Sequence, residues 1–390
     1  MRSAVSADAR EPWRHMRAKR WLWFGSYAKG PGYPRSETLI AGLRGLGHEV
    51  VEVHAPLFEG SADRVALGGG GGAAKTAWRQ TSAAARLAAR YFKAGEHDVA
   101  VAGAGGVVDG ALLRMLQNFD RVPLVVDSFI PLYDTLVRDR GLASAESARA
   151  RALLKIERLC GRVADVVLSD TSAQADLLAA DLRIDRSKIA VVPVAQPDPG
   201  PPAPLPVDGP FTAFLVATFI PLHGVATVVE AAELLAGTGI AVRIVGAGQG
   251  LAEIAPRAAK VAGLELIPRF LPEDEVRALL ARAHVGLGVF GDTAKAARVV
   301  PLKAALVASC GRALVTRDGP AAREALTDAA VLVPPADPAA LAAALVRLRD
   351  DPAELARLAA AARRRYEERF TPRAAASRLV DAVAALTKTP

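Results

Sequence analysis

The chain is poor in cysteine, in aromatic residues and in long apolar runs, and each shortage removes a class of protein. Cys160 and Cys310 are the two cysteines in 390 residues, and neither sits in a CxxC or near paired histidines. They read as reduced core thiols, which excludes a disulfide framework and a zinc ribbon. No uninterrupted apolar run approaches the roughly 18 residues that a membrane-spanning helix needs. The opening stretch MRSAVSADAREPWRHMRAKR is basic and polar, without the apolar segment of a signal peptide, so a cytoplasmic location is expected. Aromatics make up 5% of the chain and do not interleave with its cations. The net charge of +8 suggests a nucleic-acid binder, but no zinc-finger spacing or RNA-recognition signature accompanies it. The cations are spread over helix faces (Arg79, Arg86, Arg90; Arg363, Arg364, Arg365), which argues against nucleic acid. Such a balance also suits a protein that handles diphosphates or rests on an anionic membrane surface. In the leader, six cations stand against two acids, with Trp13, Trp21 and Trp23 close by, so peripheral membrane contact through this segment stays open.

What is present is enough apolar material for two cores. Hydrophobic residues are 51% of the chain, and its length fits two domains of about 150–200 residues. Residues 20–27 (RWLWFGSY) read as a strand, 25–32 as a glycine-containing loop, 35–46 as a helix and 49–54 (EVVEVH) as a second strand. This is how a doubly wound α/β domain begins. Alternation of strand and helix continues to the strand 189–194, and the glycine run 68–72 reads as a spacer because no strand precedes it. Residues 193–210 (PVAQPDPGPPAPLPVDGP) then break the pattern, since proline at that density fixes φ and removes N–H donors. A second series starts with the strand 211–219 and ends in three helices, each with proline near its first turn. The expected fold class is α/β, with two Rossmann-like domains facing each other across a cleft.

The candidate chemistry lies in the loops after the strands. Arg298 and Lys303 stand either side of Pro301, which would open a helix and put Lys303 in its first turn. A cation there opposes the helix macrodipole unless an anion sits between them, a local conflict that often marks a functional site. Lys295 and Asp292 belong to the same loop. Gly246 and Gly248 follow a strand and precede a helix, so they serve either close approach of a phosphate or ribose or merely a tight turn. Gly25, Gly30 and Gly32 sit in a loop longer than an ordinary βα turn. Asp127 ends an apolar strand at the carboxyl edge where open sheets bind ligands. It could orient an acceptor hydroxyl, support charge at a reacting carbon, or cap a helix. Tyr133, Asp134, Asp139 and Arg140 follow it in the segment 127–140 (DSFIPLYDTLVRDR).

Taken in order, 217–232 (ATFIPLHGVATVVEAA), 244–248 (IVGAG), 271–283 (LPEDEVRALLARA), 285–290 (VGLGVF) and 308–316 (ASCGRALVT) resemble the donor domain of family 4 glycosyltransferases. These are retaining enzymes of the GT-B fold. The loop 291–303 (GDTAKAARVVPLK) looks like a subgroup of that family with an arginine, a proline and a lysine there, and 127–140 looks like that subgroup's acceptor domain. The resemblance implies transfer of a sugar, with retention, from a nucleotide-sugar donor to a hydroxyl acceptor: a glycan, a lipid-linked molecule or a small molecule. It implies a basic leader 1–19, an acceptor domain 20–195, a linker 196–210, a donor domain 211–371, and a helix in 372–390 that packs back on the first domain. Donor-binding residues would be Gly30, Gly32, Thr218, His223, Gly246, Gly248, Lys295, Arg298 and Lys303. Acceptor-binding residues would be Tyr133, Asp134 and Arg140, with Asp127 as the catalytic candidate. No metal or other cofactor is expected, because no DxD lies beside a strand end and a basic loop can take the cation's part. His223 and Thr218 stand where the family usually carries cations, and Leu306 stands where many members carry the glutamate that holds the donor ribose. These departures leave a non-catalytic sugar-nucleotide-binding or scaffold protein as the alternative reading, followed by a nucleotide-sugar epimerase. A dinucleotide oxidoreductase fits less well, since neither glycine loop matches GxGxxG.

Overall fold

The computed structural model describes residues 19–27, 29–30, 34–56, 73–105, 108–118 and 121–386, with the side chains of all but 73–77. Gly32, the leader with Trp13, and the glycine run 68–72 lie outside the described residues.

The first series comprises β1 (Arg20–Gly25), α1 (Arg35–Gly45), β2 (Glu49–His54), α2 (Ala73–Tyr91), β3 (Val99–Ala102), α3 (Asp109–Leu116), β4 (Leu124–Asp127), a π-helix (Asp134–Asp139), α4 (Ala148–Val163), β5 (Val166–Ser169), α5 (Ser172–Leu182) and β6 (Ile189–Val191). Its six strands lie in the order β2-β1-β3-β4-β5-β6, and every pairing is parallel. A parallel sheet covered on both faces needs apolar strands throughout, which is why VAVA and LVVD are unbroken apolar up to their last residue. The helices α2, α3, α4 and α5 pack on one face through Leu87, Leu113, Cys160 and Leu178. The opposite face carries Trp21 and Trp23, both fully buried against Leu39 and Leu43 of α1. These two tryptophans are core residues, which removes them from any membrane anchor at the chain's start.

The second series comprises β7 (Phe211–Ala217), α6 (Val225–Leu234), β8 (Ile240–Gly246), α7 (Leu251–Ala258), β9 (Leu264–Ile267), α8 (Glu273–Ala281), β10 (Val285–Leu287), α9 (Ala294–Arg298), α10 (Leu302–Ser309), β11 (Ala313–Arg317), α11 (Pro320–Leu326), β12 (Ala330–Val333), α12 (Pro338–Asp350), α13 (Pro352–Arg365) and α14 (Pro372–Leu386). This sheet runs β12-β11-β10-β7-β8-β9 and is again parallel. The winding direction reverses between β1 and β3 in the first sheet and between β7 and β10 in the second. Crevices open at the carboxyl ends of such strands.

Two of these elements escape a reading of periodicity. The helix α9 has five residues, too few to show a period, and is set by Thr293, whose Oγ1 accepts the Ala296 N–H at 3.2 Å. The helix reading over 352–370 also divides, since α13 gives way to a π-helical turn at Tyr366–Phe370. That turn hands the chain back to the first domain: the Gln196 N–H donates to the Phe370 carbonyl at 2.9 Å, and the Tyr366 hydroxyl donates to the Gln196 carbonyl at 3.1 Å. Helix α14 then packs on α1 through Ala375, Ala376, Leu379 and Val383. The proline-rich segment lies along the second domain, where buried Arg312 donates to the carbonyls of Ala203 at 2.8 Å and Pro204 at 3.0 Å.

The contact of α14 with α1 has no room to spare. A Cβ on Gly42 would lie 2.0 Å from the Pro372 carbonyl oxygen and 2.7 Å from the Ala376 methyl. Gly42→Ala should therefore lower stability by about 1–3 kcal/mol, although alanine is the better helix former, and a thermal melt reads the sign directly.

Candidate functional site

The carboxyl ends of the two sheets face a common cavity of about 330 Å³. Its walls are mostly apolar: Phe129 and Ile130 after β4, Val216 at the end of β7, Val245 on β8, and Leu271 and Val276 at the start of α8. Polar groups are few, and they converge.

Lys303 stands in the first turn of α10, whose N-cap, Pro301, has no side chain to cap it. Its side chain is buried in the cavity wall, and the Nζ has no hydrogen-bond partner among the described residues. Burial alone pulls this ammonium down to about 7. A cation with no counter-ion beside an uncapped helix start is a place where an anion is favoured by charge, dipole and free donors together.

His223 sits opposite, at the end of the loop after β7. Its Nδ1 accepts the Thr218 N–H at 3.0 Å, so the ring proton belongs on Nε2. Burial, then the charges of Lys303 and Arg140, hold its pKa well below the ordinary histidine value. His223 is thus a neutral donor. Gly224 behind it has φ +59°, and a Cβ there would lie 2.3 Å from the Gly291 nitrogen, so this loop and the one after β10 pack backbone to backbone.

Gly246 and Gly248 have φ of +139° and +147°, and a Cβ on either would fall within 2 Å of a carbonyl oxygen, that of Ala217 at 1.8 Å and that of Thr218 at 1.9 Å. Gly246 and Thr218 line the cavity. Gly248 is not among its lining residues, and its service is to let the loop after β8 lie on the loop after β7.

The acceptor-side residues require larger revision. Asp127 is buried and held by Arg35, with Nε to Oδ2 at 3.1 Å and Nη2 to Oδ1 at 3.3 Å. Arg35 also donates to the Val192 and Pro193 carbonyls, so this pair ties the start of α1 to β4 and to the end of β6. Both oxygens being taken, and the residue not being part of the cavity lining, Asp127 is a structural carboxylate here. Asp134 is fully buried and faces the second domain: its Oδ1 lies 2.9 Å from Arg298 Nη2, and its Oδ2 lies 3.7 Å from Lys295 Nζ. Lys295 also donates to Thr135 Oγ1, Arg298 Nε donates to Gln174 Oε1 at 3.2 Å, and the Thr171 hydroxyl donates to the Arg298 carbonyl. Of the two loop cations expected beside Lys303, Lys295 reaches the cavity and Arg298 does not. Both are bound by the first domain. Tyr133 lies under the Arg138 guanidinium at 4.9 Å and is not a cavity residue. The Gly30 N–H donates to Glu37 Oε2 at 2.9 Å, away from the cavity.

Arg140 lines the cavity with its Nε buried and without a hydrogen-bond partner among the described residues. Beside it lies Asp139, which accepts from the Thr293 hydroxyl at 3.0 Å and whose pKa is raised, mainly by burial. Glu273, another carboxylate of the lining, is taken by Arg277 at 2.5 Å. Leu306, one turn after Lys303 on α10, completes the wall. Asp139 was legible only as one charge among several in its segment, and the apolar walls gave no signal at all. Among the described residues no three His, Cys, Asp or Glu gather as a metal-holding group, and no helix is long and apolar enough to cross a membrane.

Comparison with known proteins bears on this geometry. Residues 33–195 match a model of the Glycosyl transferase 4-like domain, and residues 226–381 match a Glycosyl transferase-like model. Among solved structures, the chain is similar to sucrose-phosphate synthase from Thermosynechococcus elongatus, with TM-score 0.70 and 16% identity over 95% of this chain and 99% of that one. It is similar to Anabaena HepE in complex with UDP-glucose, with TM-score 0.66 and 14% identity over 94% of this chain and 100% of that one. A glycosyltransferase from Rickettsia africae gives TM-score 0.62 and 13% identity over 96% and 100% of the two chains. None of the curated proteins matches by sequence.

Proposed function

Because the chain belongs to the GT4-like glycosyltransferases of GT-B fold, we propose that the cavity between its domains takes a nucleotide-sugar donor and passes the sugar, with retention, to a hydroxyl acceptor. The observation that carries this reading is the buried ammonium of Lys303, unpartnered beside the start of α10. Breaking the bond from an anomeric carbon to a diphosphate builds negative charge on the leaving group, and groups aimed there in advance lower the barrier. Lys303 would take that charge, His223 Nε2–H and the α10 amides would donate to the phosphate oxygens, and Lys295 would add a second cation. Gly246 leaves room for the nucleoside, and the apolar wall of Val245, Leu271 and Val276 would hold the base. Asp139 and Arg140 are placed to orient the acceptor hydroxyl from the first domain. Closure of the domains would exclude water that hydrolyses the donor.

The non-catalytic alternative keeps two observations in its favour. Arg298 is already paired with Asp134, and Leu306 presents a methyl-bearing wall where a ribose would need an acceptor. A thermal-shift panel of UDP, GDP, ADP and their hexose conjugates tests binding, since a ligand at a hundredfold excess over its Kd stabilises by roughly 2.7 kcal/mol. Hydrolysis or transfer of the bound conjugate then separates enzyme from binder.

The same ligand gives a pH test. The free lysine loses its proton near 7, and an anion bound to it restores the charged form. Diphosphate binding should therefore take up a proton above pH 7, and affinity should fall as pH rises from 7 to 9. Calorimetry in buffers of different ionisation enthalpy measures that proton, and a flat profile would detach Lys303 from the ligand.

A further inference from the structure

The outer surface of the first domain carries a second feature, outside the lining of the donor cavity. Nine large apolar side chains are exposed among the described residues, and six of them (Trp78, Phe92, Val108, Met115, Leu142 and Leu159) belong to the layer built by α2, α3, α4 and the loop before α4. Trp78, Phe92 and Met115 are 73–74% exposed. Trp78 lies on α2 and Phe92 in the turn that closes it. Fourteen residues apart, they fall within about 40° of the same helix face at 3.6 residues per turn. The charge on α2 and α4 is strongly positive. Helix α2 has four cations and no acid, and α4 has five cations and one acid, so these two helices hold as much net positive charge as the +8 of the whole chain. The acid is Glu157, which turns inward to accept the N–H groups of Leu132 and Tyr133. Arg86, Lys93, Lys155 and Arg162 are exposed and make no ion pair among the described residues.

We propose that this face docks on an anionic lipid bilayer. Tryptophan and phenylalanine side chains standing out between unpaired cations match a headgroup region, where aromatic rings settle at the interface and cations meet acidic lipid. A nucleic acid would meet the same charge. Its bases, however, are bound by stacking in a groove, whereas this layer is four helices side by side on one side of a sheet with large apolar chains projecting. The face also adjoins the site. The segment around the π-helix lines the donor cavity with Thr135, Asp139 and Arg140, while its Leu136, Val137 and Leu142 line a small pocket together with Ala150 and Leu153 of α4. A docked face therefore holds the acceptor side of the cleft beside the lipid.

Co-sedimentation of the full chain with vesicles tests this. At low salt the protein should pellet with phosphatidylcholine vesicles containing about one-third phosphatidylglycerol and stay in solution with phosphatidylcholine alone. Neutralising three cations together, Arg86→Gln, Lys155→Gln and Arg162→Gln, should lower partitioning about 100-fold, at about fivefold for each cation. Trp78→Ala with Phe92→Ala should lower it about tenfold, and replacing the leader cations Arg2, Arg10, Arg14 and Arg17 by glutamine should leave most binding intact. The proposal is overturned if no anionic vesicle is bound, or if both face variants bind normally while the leader variant does not. It is equally overturned if a fluorescent single-stranded oligonucleotide binds through these cations and vesicles do not.

Discussion

Lys303→Met should raise the melting temperature of the free protein and weaken its response to a nucleoside diphosphate. The native side chain buries an ammonium that has neither a hydrogen-bond partner nor a compensating carboxylate among the described residues. Methionine keeps the length of the chain and removes the unsatisfied group, a change worth roughly 1–3 kcal/mol in the direction of stability. The pH dependence has a definite sign. The folded pKa is lowered to about 7, so between 7 and the ordinary lysine value the unfolded chain binds the extra proton. Stability from this group therefore rises with pH across that window, and the advantage of methionine is largest below pH 7 and shrinks above it. The ligand effect runs the other way. A hydrogen bond to a charged group is worth about 1.5–3 kcal/mol, so diphosphate affinity should fall at least tenfold. A residue that merely packs would lose stability on this substitution and leave affinity alone. Calorimetric melts with and without UDP, at pH 6 and pH 9, separate the two.

The sequence showed Lys303 because it breaks a local rule: a cation in a helix's first turn, after a proline, is out of place without an anion. The parallel sheets were legible for a related reason, since apolar runs such as LVVD and turn residues between them leave few other arrangements. Asp127 looked functional by position, at the carboxyl end of a strand, but position does not reveal that Arg35, distant in sequence, takes both its oxygens. Pairing across long sequence separations is set by packing, and a linear pattern carries no record of it. The same holds for Arg298, whose partners Asp134, Gln174 and Thr171 all come from the other domain. The short helix α9 was invisible because one turn has no period, yet it is what aims Lys295 and Arg298 at the first domain. Gly246 and Gly248 were legible as loop glycines. That each must yield to a carbonyl within 2 Å, at 1.8 and 1.9 Å respectively, depends on how two loops stack.

Asp134→Asn should unlatch the two domains and make the protein more dependent on its ligand. The carboxylate is fully buried between Arg298, Lys295 and, at 3.8 Å, Arg138, and the first two of these come from the second domain. Asparagine preserves the shape and removes the buried charge that these cations share. Removing one partner of a buried pair costs about 3–5 kcal/mol, and the exposure of Arg138, which also has Asp181, sets the expected loss at the lower end. The carboxylate also lies beside Lys295, the one of these two cations that lines the cavity. With it neutralised, Lys295, which lines the cavity, is freer to meet a bound diphosphate, so the stabilisation by UDP should be larger in the variant than in the native protein. An acceptor-binding role for Asp134 predicts a different pattern: a melt close to that of the native protein, the same UDP shift, and a defect confined to transfer. A large loss of stability with no gain in the UDP shift would leave Asp134 as a fixed interdomain tie that does not compete with the ligand. Paired melts of native and variant protein over a UDP titration read both quantities from one experiment, and the sign of the change in the UDP shift decides whether the latch and the donor share Lys295.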